Sequence, residues 1–134
     1  MIKVGNVVYR YGGSAGPALE DVSLSLGAGE RICILGANGS GKTTLARLIA
    51  GVSFATSGKV VVDHTVLSPK SAIAVARNVG FVAQDPRSSM VSSLVFDEVA
   101  FGLRNLGIPH REVMKRASTA LTRCGIRSLQ HSST

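Results

Sequence analysis

Residues 36–43 read Gly-Ala-Asn-Gly-Ser-Gly-Lys-Thr, and no other segment constrains the chain as strongly. Glycines at 36, 39 and 41 open backbone dihedrals closed to other residues, so successive N–H groups can point inward as an anion nest. The flanks supply the context. Arg31–Leu35 (RICIL) is a short, nearly continuous apolar run, the pattern of a strand covered on both faces. Thr44–Ala50 carries Leu45, Leu48 and Ile49 at helical spacing, and Gly51 stops it. Strand, glycine loop, helix is the setting in which G-x-x-x-x-G-K-[ST] binds phosphate. The helix dipole faces the nest, Lys42 reaches the β- and γ-phosphates, and the Thr43 hydroxyl ligates Mg²⁺. The predicted nucleotide contacts are Gly36, Ala37, Asn38, Gly39, Ser40, Gly41, Lys42, Thr43 and Thr44.

The remaining pattern is β-rich first and helical later. Val4, Val7, Val8, Tyr9 and Tyr11 precede the loop GGSAGP. Leu19, Val22, Leu24 and Leu26 then alternate loosely with Glu20, Asp21, Ser23 and Ser25, which predicts an antiparallel pair with one wet face. Lys59–Val62 and Val79–Val82 read as strands, and Ser71–Arg77 as a short helix. From about Ser92 the period is helical. Val95, Val99, Leu103 and Leu106 share one face; beyond Gly107 and Pro109, Val113, Ala117, Ala120, Leu121 and Cys124 form a second stripe. The fold class is α/β with a P-loop, β-rich to about residue 83 and helical beyond.

Composition narrows the function classes. A length of 134 residues suits one domain or part of one. A hydrophobic share of 45% with 17% charged residues excludes intrinsic disorder. No apolar run approaches the roughly 18 residues of a membrane span. The stretch MIKVGNVVYRYGG lacks a signal-peptide layout, and Cys33 and Cys124 lie far apart, as reduced thiols of a cytosolic protein do. The net charge is +7, but the basic cluster Arg111, Lys115, Arg116, Arg123 and Arg127 is diluted by apolar positions and reads as a solvated helix face. Aromatics are 4% with no Trp, so a base-stacking platform is unsupported and no nucleic-acid partner is expected.

The run YRYGG…ALEDVSLSLGAGERICILGANGSGKTTLARLIAG resembles the start of an ABC-type ATPase domain, and the resemblance covers essentially the whole chain. It implies an N-terminal antiparallel β subdomain and the start of a helical subdomain, with ATP and Mg²⁺ as cofactors. It also implies that an aromatic of the first strand, here Tyr11 with Tyr9 as competitor, stacks on adenine. Gln84, in VGFVAQDP where the chain turns helical, matches the family's glutamine that ligates Mg²⁺ or orients water when the γ-phosphate is present. The segment SSLVFDEVAFGLRNLGIPHREV is similar to the helical subdomain of energy-coupling factor and cobalt-type importer ATPases. That similarity implies a membrane-embedded partner docked on roughly residues 84–107, a second ATPase subunit, and a cytoplasmic location on the inner face of the membrane. Leu94–Glu98 mimics a Walker B strand, but Val99, Leu103 and Leu106 carry a helical period through it, so Asp97 and Glu98 are expected on a wet helix face.

The family's LSGGQ signature, true Walker B strand and switch histidine have no counterpart in these residues. His64, His110 and His131 are expected to be surface residues. The expectation is an N-terminal half: residues 1–83 as part of the nucleotide-binding core, 84–134 as glutamine loop and first part of the helical subdomain. Such a half is expected to bind Mg-nucleotide weakly at best and to show no significant hydrolysis, because phosphoryl transfer needs the whole constellation. The competing readings are a DNA-repair or chromosome-type ATPase of the same superfamily, and an inactive remnant.

Overall fold

The computed structural model describes residues 1–134, apart from the side chain of Ser88. The chain forms two compact units, Met1–Phe81 and Val82–Thr134.

The first unit is built on a four-stranded sheet. Strands β1 (Ile2–Tyr9), β2 (Leu19–Leu26), β3 (Ser57–Val62) and β4 (Thr65–Val66) lie in the order β2-β1-β3-β4, each pair antiparallel. Val4 stands opposite both Leu24 and Val60, so the two-residue alternation puts apolar side chains of three strands on one face. Helix α1 (Lys42–Ile49) covers that face: Leu45 and Leu48 join Val4, Val7, Leu19 and Val60 in one buried cluster. Leu48 and Val7 are fully shielded from solvent. This packing anchors the helix whose first turn carries Lys42.

The alternation breaks at Asn6 and Asp21, both at positive φ (47° and 49°). Both ladders of β1 shift register around Asn6. The Asn6 backbone N–H donates to Ser23 Oγ (2.8 Å) and its side-chain amide to Asp21 Oδ1 (2.8 Å), so side chains replace lost ladder bonds at the bulge. Asp63 and His64, also at positive φ, make the two-residue turn between β3 and β4. Helix α2 is short, Ala72–Ala76.

Two expected strands are not strands. Residues 31–37 carry no regular secondary structure, and neither do residues 79–83. Ile32, Ile34, Leu35, Phe81 and Val82 are exposed, Leu35 and Val82 almost wholly so (86% and 88%). A strand exists only through ladder bonds to a neighbour, and among the described residues no neighbouring strand pairs with either run. Apolar patterning alone does not provide the partner.

In the second unit, helices α3 (Val95–Asn105) and α4 (His110–Arg123) pack through Ala100, Val113 and Ala117, with Phe96, Val99, Leu103 and Ile108 around them. Alanines at the contact permit close approach of the two backbones. Pro109 caps α4, where its missing N–H costs nothing. Glu112 pairs with Arg116 one turn on (2.7 Å), and that hydrogen bond holds its carboxyl below the usual range. The tail returns to the start of α3: the N–H groups of Val95 and Phe96 donate to the carbonyls of Ser132 and Gln130 (both 3.1 Å). No helix among the described residues is long and apolar enough to cross a membrane.

Leu94 is the extended N-cap of α3 and Val95–Glu98 its first turn, so the Walker B mimic is helical from Val95 onward. Asp97 and Glu98 are nevertheless not simply wet. Both are half-buried; Asp97 pairs with Arg104 (2.9 Å), and the Glu98 carboxylate accepts the N–H groups of Val91 (2.9 Å) and Ser92 (2.7 Å). Two charge-assisted bonds to otherwise open backbone donors outweigh one solvent-screened ion pair. Glu98→Ala is expected to cost about 1–2 kcal/mol of stability, and Asp97→Ala under about 1 kcal/mol. Urea denaturation followed by circular dichroism ranks them, and equal costs would show that Glu98 does not hold the 91–92 loop.

Candidate nucleotide-binding site

The loop at 36–41 is held by its contact with the sheet. Gly41 is the N-cap of α1 in the left-handed region (φ 87°), and a Cβ there would lie 2.6 Å from Leu19 Cδ2 and 2.7 Å from the Ala18 carbonyl oxygen. Only a residue without a side chain lets the loop sit this close to the start of β2. A Cβ on Gly36 would likewise fall 2.7 Å from Ser40 Oγ. Ser40 closes a turn by donating its N–H to the Ala37 carbonyl (3.2 Å).

Leu45 is the first residue of α1 to bond back, to the Gly41 carbonyl (2.8 Å). The N–H groups of Lys42, Thr43 and Thr44 therefore open the helix without intrahelical acceptors. No acidic residue occupies the first turn and no side chain caps it, so the positive end of the helix is not neutralised from within.

Lys42 turns back over the loop. Its ammonium donates to the carbonyls of Gly36 (2.9 Å) and Ala37 (2.7 Å) and lies 3.4 Å from Ser40 Oγ. Residues 36–40 and Thr43 are exposed. The loop thus combines glycines at 36, 39 and 41, helix N–H groups without intrahelical acceptors and the Lys42 ammonium folded back over it. That donor set fits a phosphate chain. Among the described residues no group of three His, Cys, Asp or Glu could hold a metal ion.

Tyr11 lies just beyond β1 rather than within it. Its ring meets Tyr9 edge-on, with centroids 4.9 Å apart, and its phenol is 2.8 Å from the hydroxyl of buried Thr44. The structure therefore gathers Tyr11 with residues 36–44 in one unit. Gln84 belongs to the other unit, where it is exposed. The Tyr11–Thr44 bond and the seat formed by Ala18 and Leu19 escape a reading of the sequence, because the residues involved are 33 and about 22 positions apart in the chain.

A glycine loop that opens a helix over an antiparallel sheet defines the class: a P-loop nucleotide-binding cassette. The chain belongs to the ABC transporter family, whose model matches residues 19–134. It is 39% identical over 127 residues to the energy-coupling factor transporter ATP-binding protein EcfA1 of Listeria monocytogenes, covering 95% of this chain and 46% of that protein. The EcfA1 protein of Oenococcus oeni is 40% identical over 126 residues, with 94% and 46% covered. Among solved structures, cbiO1 from Clostridium perfringens, part of the ABC transporter complex cbiONQ, superposes with a TM-score of 0.77 at 33% identity, covering 98% of this chain and 53% of that one. The dimeric bacterial ABC transporter cassette MJ0796 gives 0.83 at 27% identity, covering 99% and 61%. The chain spans about half the length of the curated relatives it matches.

Proposed function

We propose that this chain is the ATP-binding part of an importer-type transport ATPase subunit. The observation that carries the reading is the loop itself: unbonded N–H groups at the start of α1 beside the Lys42 ammonium, with no acid in the first turn. The N–H groups of Gly39 and of residues 41–44, with the Lys42 ammonium, would hold the phosphates, the Thr43 hydroxyl would hold Mg²⁺, and the Tyr11 ring would take the adenine. Gln84 takes the family's role toward Mg²⁺ or water. Bound MgATP supplies a phosphoanhydride whose cleavage powers transport. Lys42 needs little rearrangement, since it exchanges two loop carbonyls for phosphate oxygens.

Residues 84–107 form the docking region for a membrane-embedded subunit in this reading. Exposed Met90, Val91, Leu94 and Phe101 support it by supplying apolar surface there. The dimeric MJ0796 cassette supports pairing with a second ATPase subunit. The names of the energy-coupling factor and cbiO1 relatives support an ATP-binding subunit of a transporter complex; uptake of a vitamin or transition-metal ion, with the subunit on the cytoplasmic face of the membrane, extends that reading through the importer resemblance of residues 92–113. Residues 1–83 then belong to the nucleotide-binding core and 84–134 to the glutamine loop and helical subdomain.

Calorimetric titration with ATP, with and without Mg²⁺, tests the reading. Weak, saturable, Mg²⁺-dependent binding is expected. Phosphate release is expected to stay at the buffer rate, because a complete carboxylate and signature constellation is not found within these residues. Absence of any binding refutes the nucleotide site; steady turnover that disappears in Lys42→Ala refutes the expectation of no hydrolysis.

A further inference from the structure

We infer that Thr44 is a positioning residue for the Tyr11 ring, so that preference for an adenine base over a bare polyphosphate runs through the Tyr11–Thr44 hydrogen bond. The inference rests on the nucleotide-binding reading above and adds to it the origin of base selectivity.

Tyr11 is held at both ends. Its carbonyl accepts the Ser14 N–H (3.1 Å) and the Ser14 hydroxyl (2.8 Å), which fixes the backbone in a turn after β1. Its ring lies edge-on to Tyr9, and its phenol oxygen reaches Thr44 Oγ1 at 2.8 Å. Thr44 is only 6% exposed and belongs to the first turn of α1, directly after the two residues whose side chains are assigned to phosphate and Mg²⁺. The bond therefore ties an aromatic ring to the phosphate loop across 33 residues of sequence. Tyr11 itself remains 43% exposed, so ring surface is available to a ligand. Lys42 is a point charge and cannot distinguish one nucleotide from another or from tripolyphosphate. A ring already fixed at both ends loses less rotamer freedom on stacking, and that difference appears only with a ligand that carries a base.

The chain provides its own probe. Tyr9 and Tyr11 are its only two tyrosines and it has no Trp, so intrinsic fluorescence reports this pair alone. Wild type, Thr44→Val, Tyr11→Phe and the double variant are titrated with MgATP and with Mg-tripolyphosphate by calorimetry. Tyrosine emission is followed in parallel. Thr44→Val keeps the branched shape, and Tyr11→Phe keeps the ring. Each is expected to lower the ratio of ATP to tripolyphosphate affinity by about 2- to 10-fold, the range of one hydrogen bond. The double variant is expected to lose no more than either single one, and Thr44→Ser to restore the ratio. An unchanged or raised ratio in the single variants, or additive losses in the double, overturns the inference while leaving the nucleotide site intact. A wild-type chain that binds neither ligand overturns both.

Discussion

Replacement of Lys42 by alanine is expected to weaken MgATP binding at least about 100-fold, equivalent to roughly 3 kcal/mol. The ammonium lies at the rim of the 36–41 loop, held there by the carbonyls of Gly36 and Ala37. Its hydrogen bonds to phosphate oxygens would be charge-assisted, worth about 1.5–3 kcal/mol each against about 1 for a neutral pair. The loop carbonyls it leaves behind are exposed and can turn to water. Most of the gain on binding is therefore retained, and most of it disappears with the side chain. Lys42→Arg is expected to rescue poorly, because a planar fork does not replace a compact charge in a turn this tight. Circular dichroism should be unchanged in both variants, since Lys42 packs nothing in the core. Calorimetry with MgATP checks the loss. Affinity within threefold of wild type in Lys42→Ala would mean that the backbone nest alone binds the phosphates.

The second large effect is on stability, and two glycines with the same φ of 77° isolate its cause. Gly58 lies in β3 where β1 bulges: Gly5 pairs with Lys59 and Val8 with Ser57, leaving Asn6 and Val7 opposite Gly58 alone. A Cβ on Gly58 would collide with the Asn6 carbonyl oxygen and come within 2.6 Å of the Gly5 oxygen. These are backbone atoms of the central strand and cannot swing aside. Gly13 has open space around the equivalent position. Gly13→Ala should therefore cost only the left-handed strain, about 1 kcal/mol. Gly58→Ala should add separation of β1 from β3 and reach about 3 kcal/mol or more. Urea midpoints of the two variants, compared with wild type, measure the difference. Equal shifts would mean that the bulge opens without cost, and the steric account would fail.

Much of the candidate site is local, and local features are legible in a sequence. The spacing of Gly36, Gly41, Lys42 and Thr43, with Leu45 and Leu48 behind them, specifies a loop and an amphipathic turn through contacts within four or five residues. The periods of 95–106 and 113–124 specify α3 and α4 for the same reason. The apolar runs at 31–35 and 79–82 are equally clear to the eye, yet neither is a strand. Their secondary structure depends on neighbours that no described strand supplies.

What the sequence alone determined is the loop on which the proposed phosphate site rests, because that motif needs only a short run of backbone shaped by glycines and one lysine beside it. What the tertiary structure decided is where each remaining side chain is directed. Glu98 turns from a catalytic mimic into a clamp on the 91–92 loop, Gly58 into the residue that accommodates a bulge, and Thr44 into the partner of Tyr11. Each of these roles depends on a partner brought close by folding. Hydrogen bonds and steric contacts act over a few ångströms of space, whatever the separation along the chain.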